Sequence, residues 1–174
     1  MPLVADDQMD QNFLQLRITW AISHARKTGD GFALLLIRPG YCTPAYARNG
    51  VVVHPGLLHQ IIDYMLPRVR RIDSVVPVDR QCIALLAEEV RGSGDALSLA
   101  RRLHALLDGP IFMAGAYPVI DSDMGIVLYP RHGSTTQDLI DHAHLALAQT
   151  RQPGGTDMEL YRRGSGKLND AEEE

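Results

Sequence analysis

Six consecutive apolar residues, Phe32-Ala33-Leu34-Leu35-Leu36-Ile37, constrain this chain more than any other stretch. The run is short and has no polar position to turn towards water. Its length suits a central β-strand covered on both faces. Such a strand needs a layer of structure above it and another below, and the chain supplies amphipathic stretches of the right length. Residues 13–27 read as a helix stopped by Gly29. His54-Pro55 opens a second helix, with Pro55 in the first turn and a buried stripe of Leu57, Leu58, Ile61, Ile62, Met65 and Leu66. Residues 95–108 read as a third. Residues 135–150 read as a fourth, with Ser134 or Thr135 as N-cap and Leu139, Ile140, Ala143, Leu145, Ala146 and Leu147 on its apolar face.

The strand signals alternate with these helices. Val75–Val78 and Ile83–Ala87 flank the polar turn Asp79-Arg80-Gln81-Cys82 and predict a hairpin. Residues 111–129 should hold one or two strands, most clearly Gly125–Tyr129, and Met158–Tyr161 predicts a short last one. Long helices alternating with short strands, with one hairpin breaking the alternation, predict an α/β (α+β) fold: a sheet with helices on its faces.

Other expectations are local. Phe13, Leu14, Leu16, Ile18, Trp20, Ala21 and Ile22 are dense enough to predict a well-buried first helix with Trp20 in the core. Residues 38–54 read as a long connection, broken by Pro39, Pro44 and Gly50. Pro67 should end the regular part of the second helix near Leu66. Residues 1–12 read as a flexible N-terminus, 13–163 as one domain, and 164–174 as a disordered acidic tail.

Composition narrows the function. A chain of 174 residues is enough for one compact domain, not comfortably two. A net charge of −4 argues against a nucleic-acid partner. No apolar run approaches the roughly 20 residues of a membrane helix, and residues 1–12 do not read as a signal peptide, so a cytoplasmic location is expected. The two cysteines, Cys42 and Cys82, give neither a disulfide framework nor metal-ligand spacing, and Cys82 reads as a small buried filler. His142 and His144 are two apart on a helix and point to different faces, which is no zinc pair, even with His132 nearby. Tyr41 and Tyr46 fall in a loop that suits a protein contact. No cofactor is expected.

Three segments together resemble the diguanylate cyclase, or GGDEF, family. Asp123-Met124-Gly125-Ile126-Val127-Leu128-Tyr129-Pro130-Arg131-His132-Gly133 is similar to its serine-isoleucine-glycine strand, followed by a tyrosine-proline and a glycine. Leu139–Ala148 resembles its last helix, with His144 where an aspartate is usual and Ala148 where a tyrosine is. Arg70-Arg71-Ile72-Asp73, with five residues between it and Asp79, resembles its arginine-x-x-aspartate motif. The resemblance spans about 13–163 and implies a central five-stranded, mostly antiparallel sheet flanked by helices, related to nucleotide cyclase and polymerase palm domains.

It also implies what an active member would carry. The family condenses two GTP molecules into cyclic di-GMP with a divalent metal, which hard carboxylate oxygens must hold. At the first-strand aspartate position this chain has Arg38. The signature glycines fall on Asp79 and Arg80, the acidic pair on Gln81 and Cys82, and the phenylalanine on Ile83. The base-recognition positions fall on Cys42-Thr43, Tyr46-Ala47, Gly50-Val51 and His54-Pro55. A cation at Arg38 repels metal, and the missing glycines remove room for nucleotide to approach the backbone. The expectation is a degenerate, non-enzymatic domain.

Arg70 and Asp73 match the family's product-inhibition motif, and the resemblance implies cyclic di-GMP as a ligand there. A guanidinium matches phosphate oxygens bidentately, and a carboxylate suits guanine's donor edge. Arg71, Arg68, Arg101 and Arg102 would add positive charge. From the residues alone, Arg70 and Asp73 are equally well solvated groups at a helix exit. The expected role is a regulatory or effector module in cyclic di-GMP signalling. The alternatives are a protein-interaction scaffold indifferent to nucleotide, and a residual cyclase or GTPase with rebuilt ligands.

Overall fold

The computed structural model describes residues 3–41, 55–79, 81–107 and 120–164. Residues 165–174 of the expected acidic tail and the base-recognition positions up to His54 lie outside the described residues, as does Arg80. Within them are α1 (Leu3–Thr28), β1 (Phe32–Tyr41), α2 (Pro55–Met65), β2 (Ser74–Pro77), β3 (Ile83–Glu88), α3 (Ser93–Leu107), β4 (Ile120–Tyr129), α4 (Thr136–Gln149) and β5 (Met158–Leu160). The five strands form one sheet in the order β2-β3-β1-β4-β5. All pairings are antiparallel except β4 with β5. The fold is the expected α/β sandwich of helices on a mostly antiparallel sheet.

The apolar run at 32–37 is the middle of this sheet. Ala33, Leu35 and Ile37 pack with α2 and α3, while Phe32, Leu34 and Leu36 pack with α1 and α4. The alternation is strict because successive strand side chains point to opposite faces. β3 follows the same rule, and every one of its residues is buried. At Gly125 of β4, α4 lies so close that a Cβ would collide with the backbone of Ala143 and Leu147. That explains a glycine inside a central strand.

Local signals behave as expected at several ends. Gly29 has φ +81° and its N–H donates to the Ala25 carbonyl at 2.8 Å, ending α1. Thr135 caps α4, its hydroxyl accepting from the Asp138 N–H at 3.1 Å. Leu66–Arg68 tightens into a single 3-10 turn at Pro67.

Three expectations are corrected. Helix α1 begins at Leu3, so residues 3–12 are helical rather than loose. Residues 38–41 belong to β1, because β4 runs alongside and pairs Arg38 with Asp123, Pro39 with Ser122 and Tyr41 with Ile120. Trp20 is not in the core. Helix α1 lies against the sheet on one side only, through Leu14, Ile18, Ala21, Ile22 and Ala25, and this leaves Phe13, Leu16 and Trp20 exposed at 50%, 68% and 53%. Arg17 lies 5.0 Å over the Trp20 ring, and His24 stacks on the ring at 5.3 Å.

Candidate functional site

Two clusters of polar residues sit at opposite ends of the sheet. The first is at the C-terminal end of β1, where Arg38, the β2–β3 turn and the start of β4 meet. The Arg38 guanidinium is 3.1 Å from the Asp123 carboxylate, and both side chains are about four-fifths buried. Arg151 reaches the same Asp123 oxygen at 3.4 Å from beyond α4. Arg38 follows the buried stretch of β1 directly, and antiparallel pairing places Asp123 beside it.

The turn holds its shape without glycine. The Asp79 carboxylate accepts from the Gln81 N–H at 2.6 Å and the Cys82 N–H at 2.8 Å, closing an Asx turn. The Val78 N–H donates to the Cys82 carbonyl at 2.9 Å. Gln81 is exposed, whereas Cys82 and Ile83 are buried. Burial pushes the Cys82 thiol from 9.0 up to about 12, reinforced by the Asp79 charge and opposed by Arg38 and Arg151. At neutral pH it is a protonated filler, neither nucleophile nor ligand.

This donor set does not fit a hard divalent cation. Asp123 is bridged by two guanidiniums, an oxygen of Asp79 is committed to backbone N–H groups, and Arg38 brings positive charge where the resemblance requires a carboxylate. Among the described residues no group of three or more His, Cys, Asp or Glu is arranged to hold a metal.

The second cluster is built on the Arg70–Asp73 turn. The Asp73 side chain has no solvent exposure, while that of Arg70 is 46% exposed. Arg70 Nε and Nη2 donate to the two Asp73 oxygens at 3.2 and 3.1 Å. The backbone N–H groups of Arg70 and Glu88 also donate to the Asp73 carboxylate, both at 3.3 Å. Arg70 Nη2 further donates to the Glu88 carbonyl. Glu88, the last residue of β3, extends the network through its side chain. It pairs at 3.1 Å with Arg17 of α1, which also donates to Ser74 Oγ at 2.8 Å. One polar clasp therefore ties α1, the 70–73 turn and β3 together.

The structure pairs Arg70 and Asp73, the two residues singled out as ligand groups, with each other, and sequence reasoning missed Arg17, Ser74 and Glu88. Their partners are 57 and 71 residues apart, so no local pattern announces them. Arg71, Arg101 and Arg102 are exposed, the last two on α3. Arg68 turns back instead, donating to the Tyr64 carbonyl at 2.7 Å with its guanidinium 3.8 Å over the Tyr64 ring.

Residues 9–157 match the family model for the diguanylate cyclase GGDEF domain. The chain belongs to the GGDEF family. Over 163 residues it is 26% identical to an uncharacterized signaling protein of Caulobacter vibrioides, covering 89% of this chain but only 19% of that protein. The GGDEF domain of YfiN (TpbB) from Pseudomonas aeruginosa superposes with a TM-score of 0.76 at 23% identity, over 87% of this chain and 95% of that one. The GGDEF domain of DgcB from Caulobacter crescentus, solved in complex with c-di-GMP, superposes with a TM-score of 0.63 at 11% identity, over 86% and 84% of the two chains. These likenesses establish the fold in which both clusters sit. Among the described residues no helix is long and apolar enough to cross a membrane.

Proposed function

We propose that this GGDEF domain is a non-catalytic regulatory module of cyclic di-GMP signalling. The observation that carries the reading is the Arg38–Asp123–Arg151 cluster. At the position where the family needs a metal-binding carboxylate, this chain has a cation already neutralised by an internal partner. The protonated Cys82 beside it supports the same conclusion.

Two modes of regulation compete. In one, cyclic di-GMP binds at Arg70 and Asp73, with Arg71, Arg101 and Arg102 nearby. The half-exposed Arg70 side chain supports phosphate contact, and the DgcB relative was solved with that nucleotide. In the other, the domain docks protein and ignores nucleotide. Two features favour this second mode. The Asp73 carboxylate is buried and accepts from four N–H groups, so a guanine edge would have to displace donors already in place. The Phe13–Leu16–Trp20 stripe, at i, i+3 and i+7 on α1, exposes apolar area of the kind protein contacts use.

Calorimetric titration tests the proposal. Mg²⁺ should not strengthen the binding of GTP. Cyclic di-GMP binding at micromolar affinity, lost in Arg70→Ala, would select the first mode. Absence of binding, with no thermal stabilisation, would select the second. Tight Mg²⁺-dependent GTP binding would refute the non-catalytic reading itself.

A further inference from the structure

A cleft of about 820 Å³ lies at the β4–β5 edge of the sheet, between the β4–α4 connection and the segment after β5. It is separate from both clusters. Asp123 and Tyr129 are six residues apart on β4, which places the cleft about 20 Å along the strand from the Arg38 cluster. The Arg70–Asp73 clasp is at the β2–β3 edge, on the other side of β1.

The cleft's chemistry is unlike the rest of the chain. In a protein of net charge −4, the described residues lining it include Arg131, Arg162 and Arg163 and one carboxylate, Asp138. All three arginines are exposed residues. The floor is rigid and aromatic. The His142 ring stacks on Tyr161 at 4.1 Å and 9°, and His132 meets the edge of Tyr161 at 5.5 Å. His142 Nδ1 donates to the His132 carbonyl at 2.5 Å, and the Leu128 N–H donates to His132 Nδ1 at 2.9 Å. Both rings are thereby fixed by backbone groups. The second of these bonds puts the proton of neutral His132 on Nε2, as a donor.

We propose that this cleft is a binding site for a phosphate-bearing small molecule, its phosphate oxygens held by Arg131 and Arg163. Guanidinium forks match phosphate oxygens bidentately, and two of them call for a ligand with more than one negative charge. The volume lies within the roughly 300–1,000 Å³ of small-ligand pockets. The N-terminus of α4, opening at Thr136 on the wall that holds Asp138, adds positive potential. Asp138 offers an acceptor for a hydroxyl or amino group on the same ligand, which favours a nucleotide over bare phosphate. The site does not depend on the mode of regulation proposed above, since it shares no residue with Arg70 and Asp73.

The test is calorimetric titration of the full chain with GTP, 5′-GMP and inorganic pyrophosphate, without metal. The double variant Arg131→Ala/Arg163→Ala should bind at least tenfold more weakly, while Arg70→Ala should bind as the unaltered protein does. Saturable binding of a nucleotide supports the site with an organic ligand, and of pyrophosphate alone with an inorganic one. Three results would overturn the proposal: no binding at millimolar ligand, binding that ignores the double variant, or equal binding of sulfate. Because both arginines are exposed, the double variant should melt with the unaltered protein, which keeps weaker binding separate from loss of fold.

Discussion

The two ends of the central sheet lost and kept different things. At the Arg38 end, the proposed reading is that the family's signature residues are replaced, while the hairpin itself is formed. Asp79 closes the turn where glycines would stand, and Asp123 neutralises the guanidinium at the metal position. At the Arg70 end, the sequence motif remains, yet its aspartate faces inward and binds the protein itself. A motif that matches the family and a turn that does not are thus both engaged in internal pairing. Matching residues to a motif shows which side chains are present, whereas burial and partner count show whether they are still available to a ligand.

The largest effect should come from Asp73→Ala. Removing a carboxylate with no exposure strands two backbone N–H groups and the Arg70 guanidinium, and should cost about 2–3 kcal/mol in denaturant unfolding. An unchanged midpoint would break the comparison, since Asp73 would then be a surface ligand group after all. Next is Cys82. In a Cys42→Ser background at pH 8, a small disulfide reagent should react at least about 30-fold more slowly than with an unperturbed thiol, because the thiolate is scarce. Its raised pKa also favours the folded state at and below pH 9.0, a contribution lost as pH rises towards about 12. Rapid labelling in native conditions would place Cys82 in an open site.

Asp123→Ala should cost about 1 kcal/mol, by leaving Arg38 and Arg151 facing each other without a counter-charge. It should restore no Mg²⁺-dependent GTP binding. The smallest effect concerns His132. Burial lowers its pKa from 6.5, with Arg131 and His142 adding to the shift. The folded state then binds fewer protons than the unfolded one, so stability present above pH 6.5 is lost as pH falls through the lowered value. His132→Asn should flatten that acid slope in pH-dependent melting, and an unaltered slope would assign it to other groups.

Much of the sheet was legible because it rests on periodicity. The run at 32–37, the hairpin around residue 79 and the Thr135 cap all announce themselves within a few neighbouring residues. What was not legible depends on distant partners. Arg38 to Tyr41 looked like loop because Pro39 and Gly40 interrupt the pattern, yet ten residues of β4 pair along that whole strand. Trp20 looked like core because α1 is apolar on two sides and only one meets the sheet. The clasp residue Arg17 finds Glu88 across 71 positions, a pairing set by the packing of α1 and not by any motif. The cleft at Arg131, Arg162 and Arg163 escaped notice for the same reason, since two segments some 30 positions apart build it.

The central claim is that the Arg38 end no longer supports chemistry on GTP. It is tested most directly by incubating the pure protein with GTP and Mg²⁺ or Mn²⁺ and separating the nucleotides by chromatography. The account predicts that GTP remains and that no cyclic di-GMP forms, in the unaltered protein and in Asp123→Ala alike. Cyclic di-GMP produced in proportion to protein concentration would contradict it, and would mean that this end of the sheet holds metal by ligands other than those its family uses.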